Sequence, residues 1–262
     1  MNAPHQTLSR RTVKTITETW PPKKIYQLIQ QKEIEYSPEH QQAYTCENRA
    51  YLALSYLTGS RVTELCGGIQ RKIWGYNGNE PIELKVPNKD HQGIQRENIV
   101  ITPKWIEINN LPVVKRSQKV IDKYGPHIAQ RPQLIYPLDP KLNENKYYQQ
   151  WIPFTYLFLE FLEKYAPAKG KLFRFRDSQA WRITNQLTGY YPNFMRAQAS
   201  RFHINYLETD SVQHARYMRR MDPKSAMVYI DYDSKKNFTN PEEAMSFEWI
   251  STEVEKIKNR MA

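Results

Sequence analysis

Residues 154–165 constrain the fold of this chain more than any other stretch, because they are apolar on nearly every side of a helix. A helix of that kind must lie between other elements, whereas a surface helix keeps a polar face. We therefore predict a buried central helix with other elements packed around it. The chain has 262 residues, which is enough for one large domain or two modest ones with an ample core.

Helix signals stand on both sides of that stretch. Ser37 and Pro38 are typical of a helix start and Gly59 of a helix end, so a helix is predicted from residue 37 to about 57. A second, short helix follows and stops at Gly67 and Gly68. Further helices are predicted to start at Asp177 or Ser178, at Pro192, at Ser211, at Pro223 and near Asn240.

Residues 69–140 have a different texture, with short β-favouring runs separated by Pro, Gly and Asn. Such runs are typical of a small antiparallel sheet. The fold class predicted is therefore mainly α with a small antiparallel β-sheet (α+β). The predicted strands cover residues 99–102, 105–108, 112–114 and 133–136.

The charge of the chain favours an acidic partner. The formal net charge is +11 and 13% of the residues are aromatic, a combination that suits a folded polyanion binder better than a disordered basic tail. Residues 164–224 hold 12 Lys and Arg against 4 Asp and Glu, a local excess of +8. A solvated basic face would also explain this excess, but the segment overlaps two candidate site arginines, Arg196 and Arg220.

Several other classes of protein are disfavoured by the composition. Cys46 and Cys66 are too few and too badly spaced for a disulfide framework or a zinc site, and the six histidines form no metal pattern. No apolar run approaches the ~20 residues that a membrane span needs, and residues 1–11 lack the apolar segment of a secretory signal. We expect a soluble, cytoplasmic protein that contacts no membrane and needs no metal or cofactor.

Four separated motifs suggest one chemistry. Residues 58–65 read Thr-Gly-Ser-Arg-Val-Thr-Glu-Leu, Lys115 ends a predicted strand, residues 193–196 read Asn-Phe-Met-Arg, and Tyr229 follows a small and apolar stretch. Two arginines and a lysine can hold the oxygens of a phosphodiester while a tyrosine hydroxyl attacks the phosphorus. The plainer alternatives are an Arg61–Glu64 ion pair and an ordinary surface arginine at Arg196.

The order and spacing of these motifs resemble the tyrosine recombinases and integrases, in particular a divergent archaeal or viral member. The resemblance implies a catalytic domain of the DNA breaking-rejoining kind, in which Arg61 binds the scissile phosphate. Arg196 takes the place of the second arginine of the family, 135 residues after Arg61 and 33 before Tyr229. Tyr229 is the implied nucleophile, and Tyr232, one helical turn further on, is its rival.

The chain departs from the family pattern at two positions. Asn193 stands where the family's His-x-x-Arg motif begins, and Arg220 stands nine residues before Tyr229, where a histidine or tryptophan is common. Asn193 can orient a phosphate oxygen or a water but cannot transfer protons, and Arg220 can still donate to the phosphate. The implied general acid is Lys115, with Lys119 in reserve. His203 and His214 do not fall at family positions and are predicted to be packing or surface residues.

The resemblance therefore predicts a site-specific recombinase that cleaves and rejoins double-stranded DNA through a 3′-phosphotyrosine, for integration or excision of a mobile element in a prokaryotic cell or a virus-infected host. It also implies self-association on DNA, as a tetrameric synapse. Two alternatives remain open: a DNA-binding protein on the same scaffold without cleavage, and a related topoisomerase or telomere resolvase.

Three regions are predicted along the chain. Residues 1–36 are interpreted as an arm or the remnant of a preceding domain, and residues 37–232 as the catalytic domain. Residues 233–262 form a tail with a helix that docks either on a neighbouring protomer or on its own chain. The resemblance does not include the N-terminal clamp domain that is usual in the family.

Overall fold

The computed structural model describes residues 19–69, 73–77, 80–84, 90–114, 121–123, 125, 129–139, 142, 146–207, 210–218 and 248–262. These residues form a mainly helical fold with small antiparallel sheets, which confirms the predicted fold class at that level. Five predicted site residues or their rivals lie outside the described residues: Lys115, Lys119, Arg220, Tyr229 and Tyr232.

The described helices surround one core. They are α1 (Pro22–Gln30), α2 (Pro38–Thr58), α3 (Val62–Cys66), α4 (Lys146–Gln149), α5 (Ile152–Lys164), α6 (Asp177–Thr188), α7 (Pro192–Asn205), α8 (Ser211–Met218) and α9 (Glu248–Met261). The starts predicted at Pro192 and Ser211 are confirmed. The helix predicted to start near Asn240 is described only from Glu248 onward, as α9.

Helix α2 begins and ends where its sequence predicts. Ser37 is the N-cap, Pro38 is the first helical residue, and Gly59 closes the helix in the left-handed conformation with φ of 56°. Proline suits the first turn because its missing N–H would have no partner there, and glycine suits the end because it has no Cβ to clash. Nearly all of the second half of α2 is buried, so this helix runs into the protein interior.

Helix α5 is the central helix that residues 154–165 predicted. The consecutive residues Leu157, Phe158 and Leu159, which project about 100° apart around a helix, are all buried. It packs against α2 on one side and against α9 on another, while α7 also packs on α2. The helix is apolar around its circumference because it has neighbours on several faces.

The largest sheet consists of three antiparallel strands in the order β5 (Ile99–Ile101), β6 (Trp105–Pro112) and β7 (Gln130–Pro137). Two short antiparallel pairs precede it, formed by β1 (Gly68–Ile69) with β4 (Asp90–His91) and by β2 (Ile73–Asn77) with β3 (Glu80–Leu84).

The prediction of separate strands at residues 105–108 and 112–114 was wrong. Residues 105–112 form the single strand β6, and the ladder continues through Val113, whose N–H donates to the Ala129 carbonyl at 2.8 Å. Within this strand Asn110 has a φ of 53°, a conformation that asparagine tolerates better than most residues.

Both ends of the described chain pack onto the same core. Ile25, Tyr26 and Ile29 of α1 are buried in it, so the described part of the segment interpreted as an arm is an integral element. Helix α9 lies against α5 of its own chain and buries Ile257. The Arg260 guanidinium of α9 also makes two hydrogen bonds, of 2.7 and 2.6 Å, to Glu160 of α5. The described part of the tail therefore contacts its own chain, and docking on a neighbouring protomer stays a prediction.

Gly59→Ala is expected to destabilise the protein more than Gly189→Ala. Both glycines end a helix with positive φ, of 56° and 75°, so alanine carries a left-handed strain of about 1–2 kcal/mol at either place. Only at Gly59 does the new Cβ meet a buried neighbour, the Met218 sulfur at 3.1 Å, which adds about 1 kcal/mol or more of overpacking. Urea denaturation of the two variants measures the difference, and equal losses would contradict the packing role of Gly59.

Candidate active site

The site is built around the carboxyl-terminal end of α2. The last four carbonyl groups of a helix have no hydrogen-bond partner within the helix, so other groups must satisfy them. The hydroxyls of Tyr136 on β7 and Tyr217 on α8 both donate to the Leu57 carbonyl, at 3.2 and 2.9 Å. Strand β7 of the sheet and helix α8 therefore meet at the carboxyl-terminal end of α2.

Two arginines satisfy the next two carbonyls. Arg131 of β7 donates through Nη1 to the Thr58 oxygen at 3.3 Å, and Arg196 of α7 donates through Nη1 to the Gly59 oxygen. Arg196 also donates through Nη2 to the Met218 oxygen at 3.0 Å, which ties α7 to the end of α8. Cations are favoured here because the helix dipole places partial negative charge at a carboxyl-terminal end.

Arg61 lies on the other side of the Gly59 turn, as the N-cap residue of α3. Its backbone N–H donates to Glu64 Oε2 at 2.7 Å, and its Nη1 donates to Glu64 Oε1 at 2.9 Å. The ion pair that was predicted as the plainer alternative for Arg61 is therefore present. The Glu64 side chain is fully buried, whereas that of Arg61 is 25% exposed.

Glu64 also joins this turn to the sheet. Its Oε1 accepts a hydrogen bond of 3.2 Å from the backbone N–H of Val114. Val114 immediately precedes Lys115 in the sequence, so the described chain stops one residue before the predicted general acid. One buried carboxylate thus holds the first arginine motif and the end of the β6 extension together.

The structure brings together the described parts of three predicted motifs. Arg196 contacts the carbonyl of the residue two before Arg61, and Glu64 links Arg61 to Val114. Asn193 lies one turn before Arg196 on α7, but it is exposed while Arg196 is 6% exposed. Lys115, Arg220 and Tyr229 are outside the described residues, so their place relative to this cluster stays a prediction.

Sequence reasoning missed Arg131 and Tyr217. Simple alternation along β7 puts Arg131 on the same face as the exposed residues Gln133 and Ile135. Its cross-strand partner is Leu111, which is fully buried and follows Asn110 with its positive φ. Asn110 makes the neighbouring strand irregular, and an alternation pattern does not reveal this. Beside that irregularity, Arg131 is half-buried, whereas alternation predicts an exposed position. Tyr217 carried no signal beyond its closeness to Arg219 and Arg220 in sequence.

Two histidines pack behind the site. The His203 ring stacks on Tyr217 with centroids 3.4 Å apart, and burial, together with the nearby Arg131 charge, lowers the pKa of His203 well below its usual value. A neutral imidazole therefore supports the Tyr217 ring, over which the Arg131 guanidinium lies at 5.0 Å. His214 is fully buried with Nε2 2.6 Å from Ser200 Oγ. Both side chains are packing residues in this fold.

The described residues contain neither a candidate metal cluster nor a membrane-spanning helix. No three His, Cys, Asp or Glu side chains within these residues are grouped so that they could hold a metal ion. Among the described helices, none combines the length and the apolar character that crossing a bilayer requires. Cys46 and Cys66 are both buried as free thiols.

No family model, curated protein or solved structure matches this chain significantly. Evidence about its function therefore comes from the motifs and from the geometry around the end of α2. The geometry defines a cluster of three guanidinium groups at one helix end: the buried Glu64 carboxylate holds one of them, and the last backbone carbonyls of α2 and its turn hold the other two.

Glu64→Gln is expected to lower the free energy of unfolding by about 1–3 kcal/mol, because the amide keeps one acceptor oxygen for three converging N–H donors. Glu255→Gln is the matched control, since Glu255 pairs with Lys258 at the surface and such pairs contribute about 1 kcal/mol or less. Chemical denaturation followed by circular dichroism measures both. An effect at Glu64 no larger than at Glu255 would contradict its joining role.

Proposed function

We propose that this chain is a tyrosine-type site-specific DNA recombinase or integrase, which cleaves and rejoins double-stranded DNA through a 3′-phosphotyrosine intermediate. The observation that supports this most directly is the contact of Arg196 with the Gly59 carbonyl, two residues before Arg61. Two arginines that stand 135 residues apart in sequence thereby share one helix end, as phosphate binding by both would require.

The arginines suit different tasks in this proposal. A guanidinium stays charged at physiological pH and presents a fixed fork of donors that matches two phosphate oxygens. Arg61 is the more accessible of the two and would meet the scissile phosphate from solvent, whereas Arg196 lies deeper and would act from behind it. Arg131 adds a third guanidinium at the same helix end and increases the positive potential there.

The proposed reaction consists of two transesterifications. The Tyr229 hydroxyl loses its proton to water, and its oxygen forms a bond to the phosphorus while the bond from phosphorus to the 5′ oxygen breaks. Lys115 gives that 5′ oxygen a proton. A phenol has a pKa of about 10, so Arg220 and its neighbours must stabilise the phenolate as it forms. The 5′ hydroxyl of a partner strand then attacks the phosphotyrosine and releases Tyr229, which conserves the bond energy without a cofactor.

Assembly and location are further parts of the proposal. Strand exchange between two duplexes requires several active sites, so the protein would work as a tetrameric synapse on DNA. It would act in the cytoplasm of a prokaryotic cell or in the host cell of a virus or mobile element. The target sequence would be read by side chains that reach the groove edges and by the way the duplex bends.

A second candidate function is DNA binding without cleavage. Asn193 cannot transfer protons, and Arg61 and Arg196 already hydrogen-bond to groups of the protein itself. A protein that kept the scaffold for its packing and lost the chemistry would have these features.

A topoisomerase or telomere resolvase is the third candidate function. Relaxation of any supercoiled plasmid, regardless of its sequence, would favour the topoisomerase.

Replacement of Tyr229 by phenylalanine is expected to abolish a covalent protein–DNA adduct. The substrate is a duplex recovered by repeated binding selection from a random-sequence library. It is nicked at successive positions, so that cleavage beside a nick releases a short strand. Because this strand diffuses away, religation cannot occur and the adduct accumulates. Denaturing gel electrophoresis detects the product. Tyr232→Phe and Tyr217→Phe are the controls, and both are expected to keep the adduct, the latter although it removes a hydroxyl at the helix end.

An adduct that survives in Tyr229→Phe and disappears in either control would move the nucleophile to that residue. Specific binding by the unmutated protein with no adduct at any nick would support the non-catalytic reading and end the enzyme proposal.

Arg61→Lys and Arg196→Lys are each expected to slow adduct formation by about 100-fold to 1,000-fold, because lysine cannot reproduce the forked contact with two oxygens. The affinity for the selected duplex is expected to change by much less, since the charge is kept. Arg182→Lys, at an exposed position on α6, is the matched control and is expected to react like the unmutated protein. Thermal melting of each variant shows whether a loss of rate follows a loss of folded protein. Unchanged rates in both Arg61→Lys and Arg196→Lys would exclude these two arginines as phosphate ligands.

A further inference from the structure

An open crevice lies at the far end of α3 from Arg61. It has a volume of about 350 Å³ and is lined on one side by His91, Gln92 and Gln95, on the other by Lys171 and Arg176, with Gly67 between them. Gly67 is the residue that ends α3, so one five-residue helix separates the crevice from Arg61. None of the side chains that line the described crevice is a carboxylate.

Main-chain contacts hold the two walls of this crevice in place. The Leu172 N–H donates to the Ile94 carbonyl at 3.0 Å, and the Arg96 N–H donates to the Gly170 carbonyl at 2.7 Å. Gly67 also approaches the His91 wall so closely that glycine is required, since a Cβ on Gly67 would lie 2.5 Å from the His91 carbonyl oxygen. The crevice is therefore a built feature and not a gap between loosely placed side chains.

The crevice concentrates positive charge in a partly dehydrated place. Lys171 donates through Nζ to the Phe175 carbonyl at 2.7 Å, which fixes its ammonium group. Burial lowers the pKa of Lys171, and so does the nearby Arg176 charge, while Asp177 and Glu47 oppose the change. Arg176 itself is exposed. The exposed side-chain amide of Gln92 offers a neutral donor beside these two cations, while Gln95 Nε2 donates to the carbonyls of Gln92 and Gly93 and fixes that wall.

The distance from Arg61 matches the spacing of phosphates along DNA. An α-helix rises by 1.5 Å per residue, so the six steps from Arg61 to Gly67 span about 9 Å. Successive phosphates of one strand advance by 3.4 Å along the duplex axis but also wind around it, so neighbouring phosphates lie roughly 7 Å apart and about 9 Å falls between one and two nucleotides. A strand held at Arg61 that follows the direction of α3 would place a later phosphate at the crevice.

We propose that the crevice between Gly67, Gln95, Lys171 and Arg176 binds a second phosphate of the DNA backbone, one or two nucleotides from the phosphate that Arg61 holds. This inference rests on the proposed function of the Arg61 site. The contact carries no base information, but it sets the register of the strand across the cluster of guanidinium groups. It also gives a role to basic residues that lie outside the recombinase-like motifs.

The test uses the full chain with Lys171→Ala and Arg176→Ala combined. Fluorescence anisotropy of the selected duplex is measured over a series of KCl concentrations. Each lost phosphate contact reduces the slope of log affinity against log salt by about 0.9, so we expect a slope smaller by about 1 and an affinity at least about tenfold weaker in low salt. Lys256→Ala with Lys258→Ala removes the same charge from the exposed face of α9 and is expected to leave the slope unchanged.

Ethylation interference locates the contact. The phosphate at which interference disappears in the crevice variant is expected one or two nucleotides from the one at which it disappears in Arg61→Ala. Arg176→Ala alone changes an exposed side chain and is expected to show the same shift with a smaller loss of affinity, which guards against a folding defect in the double variant. An unchanged slope, or a changed slope without a phosphate at that spacing, would overturn the proposal.

This outcome is separate from the fate of the recombinase proposal. The crevice variant is expected to form the covalent adduct at saturating DNA, because it leaves the arginine and tyrosine motifs intact. If no form of the protein makes an adduct, the recombinase proposal fails while the anisotropy and interference results still decide whether the crevice binds a phosphate.

Discussion

The carboxyl-terminal end of α2 is the point on which the rest of the structure depends. A helix that ends in the interior leaves carbonyl groups that must find donors, and here the donors are Arg131, Tyr136, Arg196 and Tyr217. These side chains come from β7, α7 and α8, between 73 and 160 residues away from their acceptors. Satisfying one helix end therefore fixes the sheet and two helices relative to α2, and the left-handed Gly59 lets the chain turn at once into α3.

The same requirement concentrates positive charge. A buried guanidinium is costly unless its donors are satisfied, and the carbonyls of Gly59 and Met218 satisfy two donors of Arg196. Glu64 plays the corresponding part for Arg61, since it is buried and accepts from both the backbone and the side chain. Preorganisation of this kind lowers the cost of binding an anion, because the cations are already positioned before it arrives. In the proposed recombinase, the helix end would serve both the fold and the phosphate.

Local signals predicted the helices well because their causes are local. Pro38 and Pro192 start helices where a missing N–H costs nothing, and Gly59 and Gly189 end them where positive φ is needed. The strand prediction was less accurate, since Asn110 carries the chain through an irregular position inside β6 that reads as a break in sequence. The Arg61–Glu64 pair could be foreseen from a spacing of three residues, whereas the hydrogen bond from Val114 to Glu64 spans 50 residues and could not.

The sequence by itself determined the mainly helical class, the buried position of α5 and the basic character of residues 164–224. These follow from periodicity, capping chemistry and charge, all of which act over a few neighbouring residues. Only the tertiary structure decided that Arg131 joins the cluster at the α2 end, that His203 stays neutral behind Tyr217, and that α9 packs on its own chain. These three features depend on which distant donors reach an unsatisfied carbonyl and on which surfaces exclude water. Contacts between residues so far apart in sequence form only in the folded chain.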